Sequence, residues 1–247
     1  MKNTSILKLT TLSAAIIASS AVLPSVAFAE GAMVEEIVTT GTRAKARSAT
    51  DTVAAVDVIT SAELTNQGDM DVANLLRNSV PSFSVNDQPI SDAATLVRPF
   101  QLRGMAPDHS LILVNNKRRH RASVISWLGN GVNDGAQGPD ISVIPSIAVK
   151  QVEVLRDGTA AQYGSDAIAG VMNFGLRDNA EGLEILARYG KSLDADDGES
   201  AQIGINWGLG LGESGFVNIS AEYFDDQGTS RGARRPAAIL FEQQNPS

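Results

Sequence analysis

Leu183-Glu184-Ile185-Leu186-Ala187-Arg188-Tyr189-Gly190, Ala201-Gln202-Ile203-Gly204-Ile205-Asn206-Trp207-Gly208-Leu209 and Val217-Asn218-Ile219-Ser220-Ala221-Glu222-Tyr223 decide how this chain is read. In each stretch the odd-numbered residues are apolar and the even-numbered ones polar or small, with Leu186 the one exception. Period two is the signature of a β-strand with chemically distinct faces. Each segment has room for roughly nine or ten residues, whereas strands in globular proteins average about five or six. A strand that crosses a bilayer at a tilt needs about nine to eleven. Tyr189, Trp207 and Tyr223 lie towards segment ends on the apolar side, where membrane barrels carry interfacial aromatic girdles. An antiparallel soluble sheet with one buried face gives the same alternation. Export, the absence of cysteine and strand length favour a membrane barrel.

Export is read at the other end of the chain. Lys2 and Lys8 precede an apolar and small-residue stretch from Leu9 to Val22; Pro24 follows, and Ala27-Phe28-Ala29 offers a small-x-small cleavage signal before Glu30. That is the layout of a secretory signal peptide over residues 1–29. A membrane anchor fits less well, because the apolar stretch falls short of the roughly 20 residues that span a bilayer. Removing two of the 20 basic residues leaves 18 against 28 acidic ones, a charge of −10. Such a balance argues against a nucleic-acid partner. With no cysteine among 247 residues, disulfide scaffolds and thiolate metal sites are excluded. The apolar fraction of 43% is too high for wholesale disorder.

Residues 30–50 carry few large apolar groups. Within them Glu35-Glu36-Ile37-Val38-Thr39-Thr40 is a β-prone run followed by Arg43, Lys45 and Arg47. It reads either as a mobile leader or as an extended peptide with free backbone groups, offered to a partner for strand addition. Residues 51–178 read as a small α+β domain. Strands are expected at 52–59, 82–85, 111–114, 149–155 and 170–174, with short helical segments at 71–78, 145–147 and 159–163. Asp69 or Asp71 would cap the first helix and Pro81 would end it. Asn115-Asn116 and Asp157-Gly158 are turn signals, and 129–139 is a loop.

The order of motifs resembles the N-terminal portion of a TonB-dependent outer-membrane receptor. Glu35 to Arg43 resembles the TonB box and its continuation. Asp71 to Leu76, closed by Val80-Pro81, resembles the first plug helix. Leu102-Arg103-Gly104-Met105 and Leu111 to Arg118 resemble the plug's paired central strands. Val152-Glu153-Val154-Leu155-Arg156-Asp157-Gly158 and Ala161-Gln162-Tyr163-Gly164, continuing through Gly170 to Phe174, resemble its closing motif. Asn116 stands where glycine is usual, and 117–147 is longer than common forms.

The resemblance implies an α+β plug domain (51–178) after a TonB-box leader (30–50), followed by the first three antiparallel strands (179–247) of an incomplete transmembrane β-barrel. The complete barrel would have about 22 strands around the plug. Odd-numbered apolar residues of 183–223 would face lipid. Glu184, Arg188, Gln202, Asn206, Asn218 and Glu222 would face the lumen. Loops 192–199 and 227–247 would be extracellular, and 210–215 a periplasmic turn. TonB, with ExbB and ExbD, would pair with Glu35, Glu36, Ile37, Val38, Thr39 and Thr40 and drive uptake of a small nutrient such as a ferric siderophore; a non-transporting periplasmic plug protein is the alternative. The plug-motif residues are Arg103, Gly104, Glu153, Arg156, Tyr163, Gly164 and Gly170. Arg103, Glu153 and Arg156, as charges in otherwise apolar strands, would pair with the inner barrel wall or within the plug. The basic cluster Lys117-Arg118-Arg119-His120-Arg121 reads as a solvated loop or as a plug apex for an anionic substrate. No cofactor, metal or catalytic constellation is expected: counted from Asp194 as a calcium loop, position five is Gly198, where an oxygen ligand is needed. Three strands cannot close a barrel, so the chain is expected to be a truncated product or fragment of a larger receptor.

Overall fold

The computed structural model describes residues 37–38, 40, 47–48, 56–85, 97–126, 131–193, 197–213, 215–229, 241 and 243–244. The expected signal peptide, Glu35, Glu36, Thr39 and Asp194–Asp196 lie outside them. The elements in chain order are β1 (Ile37–Val38), β2 (Arg47–Ser48), β3 (Val56–Thr60), α1 (Ser61–Thr65), α2 (Val72–Ser79), β4 (Phe83–Val85), β5 (Phe100–Leu102), β6 (Ser110–Val114), β7 (Lys117–Arg118), β8 (Val149–Leu155), α3 (Thr159–Tyr163), β9 (Gly170–Leu176), β10 (Leu183–Gly190), β11 (Ser200–Leu211) and β12 (Gly215–Asp226). Short 3₁₀ turns occupy Pro107–His109, Gly131–Asn133, Ser146–Ala148 and Ser165–Ala167.

The plug is built on a five-stranded sheet of order β3-β8-β9-β6-β7. All pairings are antiparallel except β6 with β9. Strand alternation splits its side chains into two sets. Ile59, Val152, Val154, Met172, Phe174 and Ile112 join Val72, Leu75 and Leu76 of α2 in the main core. Leu111, Leu113, Leu155 and Val171 turn the other way and pack with Ala167 and Tyr163. Residue for residue, Glu153 of β8 opposes Asn173 of β9, and Asn173 opposes Leu113 of β6. These two polar residues therefore share the second face.

Local chemistry sets the element ends. At α1, Glu63 N–H donates to Thr60 Oγ1 at 3.3 Å while Thr60 N–H donates to Glu63 Oε2 at 2.8 Å, a reciprocal capping box. Asp71, not Asp69, caps α2: its carboxyl accepts from Asn74 N–H at 3.3 Å, while Asp69 accepts from Met70 and Asp71 N–H. The β6–β7 turn places Asn115 at φ 47° and Asn116 at φ 63°, the left-handed pair a tight hairpin requires; asparagine tolerates it where glycine is usual.

Two expectations about pairing are corrected. The 102–105 and 111–118 segments are not partners. β5 pairs with β4, Phe83 opposite Leu102, because Arg103 and Gly104, at φ 57° and 72°, turn the chain back and bridge Leu102 to Met105. Nor are the backbone groups of Ile37 and Val38 free: they pair with Ser48 and Arg47.

β10, β11 and β12 form an open antiparallel meander, continuous in register from Leu183↔Trp207 to Gly190↔Ser200 and from Ser200↔Asp226 to Leu211↔Gly215. No helix among the described residues is long and apolar enough to cross a membrane. Instead, the meander carries an exposed apolar face: Leu183, Ile185, Tyr189, Ile203, Ile205, Trp207, Ile219 and Tyr223 are all between 42% and 67% exposed. Its other face packs on the plug.

Candidate functional site

The plug–wall contact is made by the even-numbered residues of the meander. Arg188 donates to the carbonyls of Asp69 at 2.9 Å and Thr65 at 2.5 Å. Gln202, fully buried, donates to Met70 O at 3.1 Å and Ser146 Oγ at 3.0 Å. Glu222 Oε2 accepts from Ser146 Oγ at 2.6 Å and Ile147 N–H at 3.3 Å. Glu184 pairs with Arg177, and Asn218 donates to Asn179 Oδ1 at 2.8 Å. Asn206 joins the row through Asn218 and Ser220. All six residues expected on the inner face therefore lie on the plug side. Leu186, the break in the alternation, has an even number and lines a cleft with Leu64, Leu75 and Ile147; an apolar residue belongs there because the plug covers it.

Glycine completes this face. A Cβ at Gly208 would collide with Asn179 O, and one at Gly204 would stand 3.2 Å from Ile147. The connector after β9 at Gly208, and the plug at Gly204, approach β11 too closely for a side chain to fit easily.

At the leader, Thr40 is fully buried. Its N–H donates to Glu153 Oε2 at 2.7 Å and its hydroxyl donates to the same oxygen. Glu153, 1% exposed, also accepts at Oε1 from Gln151 Nε2 at 2.8 Å and at Oε2 from Asn173 Nδ2 at 3.5 Å. Asn173 Nδ2 donates to Asn116 Oδ1 and Asn116 N–H donates to Asn173 Oδ1, both at 3.0 Å. A polar row thus crosses the sheet from the leader to the β6–β7 turn. The sequence marks Thr40 and Glu153 but does not join them; it carries Asn173 only as part of the closing motif and gives no sign of Gln151. The register signal lies in Val152-Glu153-Val154, which sends Glu153 away from the main core.

Of the three charges expected in apolar strands, only Glu153 lies within one. Arg156 follows the end of β8 and pairs with Asp57. Arg103 sits in its turn, donating to Arg156 O at 2.9 Å and lying 3.8 Å from Asp157. These partners belong to the plug. Gly104, Gly158 and Gly164 take φ 72°, 69° and 90°; the last two turn the chain at either end of the short helix α3 that carries Tyr163. Gly170, at φ 149°, has Leu102 Cδ2 2.7 Å from where a Cβ would stand.

The basic cluster is partly neutralised. Arg118 pairs with Asp166, Arg121 lies 3.9 Å from the same carboxylate, and Arg119 Nε donates to Asp140 O at 2.9 Å. Lys117 and His120 are exposed and Arg119 is half-buried. With Asp108, Ser110 and Gln137, residues 118–121 line a cleft of about 160 Å³. The described residues hold no group of three or more acidic or histidine side chains able to bind a metal ion.

Comparison with known proteins matches this architecture. The family model described as TonB-dependent Receptor Plug Domain matches residues 48–171, half of the chain. The chain is 31% identical over 121 residues to a vitamin B12 transporter of Vibrio vulnificus, covering 49% of this chain and 17% of that one. It is 27% identical over 130 residues to the ferric enterobactin receptor of Pseudomonas aeruginosa, covering 53% and 17%. The crystal structure of the siderophore receptor PirA from Acinetobacter baumannii superposes with a TM-score of 0.53 at 23% identity, covering 69% of this chain and 24% of that one. The chain thus spans about a sixth of the length of these two curated relatives. With the plug matched by family model and fold alike, this chain belongs to the TonB-dependent receptor plug-domain family.

Proposed function

We propose that the chain is the N-terminal portion of an outer-membrane receptor that takes up a scarce nutrient by TonB-dependent active transport, after export by its signal peptide. The observation that carries this reading is the two-faced meander. One face is apolar and exposed, as lipid requires, and the other is hydrogen-bonded to the plug. A free-standing periplasmic plug protein would place that apolar face in water, where contiguous patches of such size are rare. On this reading β10–β12 open the barrel wall, and closing it needs further strands, because edges do not persist in lipid.

Energy enters through the leader. Residues 35–40 form the segment that TonB, driven by ExbB and ExbD, takes as an added strand. Main-chain hydrogen bonds give that mode its affinity. The substrate is a small nutrient of the kind the relatives' names give, a siderophore or vitamin B12. The cleft at Arg118, Arg119, His120 and Arg121 supports an anionic substrate such as a ferric siderophore, since two arginines share one carboxylate there and Lys117 beside it is exposed.

The test is Val38→Pro in the complete receptor. Proline removes a backbone donor from the strand. Energised uptake should fall to background while binding of substrate at the cell surface is unchanged. Undiminished uptake would remove the assignment of 35–40.

A further inference from the structure

The walls of the cleft beside β7 are held by the plug's own bonds. Ser110 opens β6 opposite Gly170 of β9, and His109 O accepts from Ala169 N–H at 2.8 Å. These contacts fix the 107–109 turn against the sheet. On the facing side, Gln137 Nε2 donates to Ala122 O at 2.7 Å and Ala122 N–H donates to Gly138 O at 3.0 Å. A Cβ at Gly138 would stand 2.3 Å from Pro107 Cβ, so the 137–139 segment closes directly on the 107–109 turn. At about 160 Å³, the cleft is smaller than the roughly 300–1,000 Å³ that enclose a drug-sized ligand. It suits a small group, not a whole nutrient complex.

Two kinds of polar group line it. Arg118 and Arg121 both turn to the Asp166 carboxylate, and two guanidinium groups on one carboxylate leave donors to spare. The other kind is buried and unpartnered. Ser110 is 4% exposed, and neither its Oγ nor Asp108 Oδ1 has a hydrogen-bond partner among the described residues. Buried polar atoms normally have one. An ionised carboxylate only accepts, and it repels a bare oxyanion, so beside these arginines it calls for a ligand that brings a hydrogen. We propose that the cleft binds an oxyanion that also carries a hydroxyl hydrogen, as hydrogen phosphate and the α-hydroxycarboxylates do. The oxyanion takes the donors of Arg118 and Arg121 in exchange for Asp166, which is their internal counter-ion. The hydroxyl donates to Asp108, with Ser110 beside it. This assignment rests on reading the 118–121 cleft as an anion site of the receptor.

Titration calorimetry on the full chain in detergent, at a mildly alkaline pH and fixed ionic strength, compares hydrogen phosphate with sulfate. Both are tetrahedral dianions, and only phosphate keeps a hydrogen. Lactate and propionate repeat the comparison for carboxylates, and preference within one pair alone names the source of the oxyanion. The hydroxyl-bearing member should bind at least about tenfold tighter, since a site built to pair with a ligand hydroxyl rejects the analogue lacking it. Asp108→Asn places donors where only an acceptor stood. It should bring the preferred pair level, with the denaturant midpoint at the parent value. Arg118→Gln should weaken both members about tenfold, the order expected for one charge-assisted hydrogen bond. Asp166→Asn removes the competing carboxylate and should tighten both, a gain that a merely structural Arg118–Asp166 pair would not give. Equal affinity within both pairs would overturn the assignment, as would no binding of any of these anions, or an Asp108→Asn variant that keeps the parent preference. Weaker binding in Asp166→Asn would overturn the exchange. None of these results touches TonB-dependent uptake through 35–40, and failure of the Val38→Pro uptake test would leave the cleft's assignment standing.

Discussion

Single residues carry the tightest constraints in the plug. Gly170 begins β9 at φ 149°, and a Cβ there would stand 2.7 Å from Leu102 Cδ2 and 3.0 Å from Leu155 O. Alanine meets both a strained backbone and two occupied positions. Gly170→Ala is therefore expected to cost more than about 1 kcal/mol, read as a lower denaturant midpoint for the chain. An unchanged midpoint would mean that the start of β9 shifts freely. Glu153 illustrates what a residue-by-residue reading of the sequence reaches and where it stops. Its presence between two valines marks it as a polar residue on a sheet face. Its partner cannot be read, because Thr40 is remote in sequence and the bond depends on how the leader crosses the folded sheet. Arg103 and Arg156 differ in kind. Their apolar neighbours suggest strand positions, but a left-handed turn at Arg103-Gly104 and the end of β8 before Arg156 put both outside strands.

At the scale of elements, period two is the most legible signal. β10, β11 and β12 fall where the alternation places them, with the inner and outer faces as expected. Helix α2 is legible from its cap and from Val72, Leu75 and Leu76, β8 from its apolar run, and α3 from the Asp157-Gly158 turn before it. Helix α1 escapes a reading by pattern, although Thr60-x-x-Glu63 carries its capping box; five residues are too few to show a period. β5 lies outside the central sheet, and the triplet Phe100-Gln101-Leu102 says nothing about which strand it joins. The parallel pairing of β6 with β9 is equally out of reach, since register is set by contacts between segments more than 50 residues apart. The two faces of β11 make a direct prediction. Ile205 faces outward at 42% exposure. In the assembled barrel, Ile205→Arg should cost about 2–4 kcal/mol if it lies near the bilayer midplane. The measurement is the fraction of heat-modifiable, membrane-inserted protein on gels, and that fraction should drop. Unchanged insertion would place the outer face in water.

For the molecule as a whole, the meander and the plug are two halves of one construction. The plug supplies the polar partners that the inner face of the wall needs, and the wall's glycines leave room for it. Length by itself suits a domain or two; against the relatives it corresponds to a plug and the opening strands of a wall. What the folded plug adds to the sequence is the position of the leader. Ile37 and Val38 are paired with Ser48 and Arg47, and Thr40 is tied to Glu153 of the sheet. The most direct test is disulfide capture by the periplasmic domain of TonB carrying a cysteine on its pairing strand. The chain with Val38→Cys should cross-link well above the chain with Leu193→Cys, whose position is 99% exposed and lies beyond β10, outside the leader. Equal cross-linking at the two positions would contradict TonB pairing at the leader.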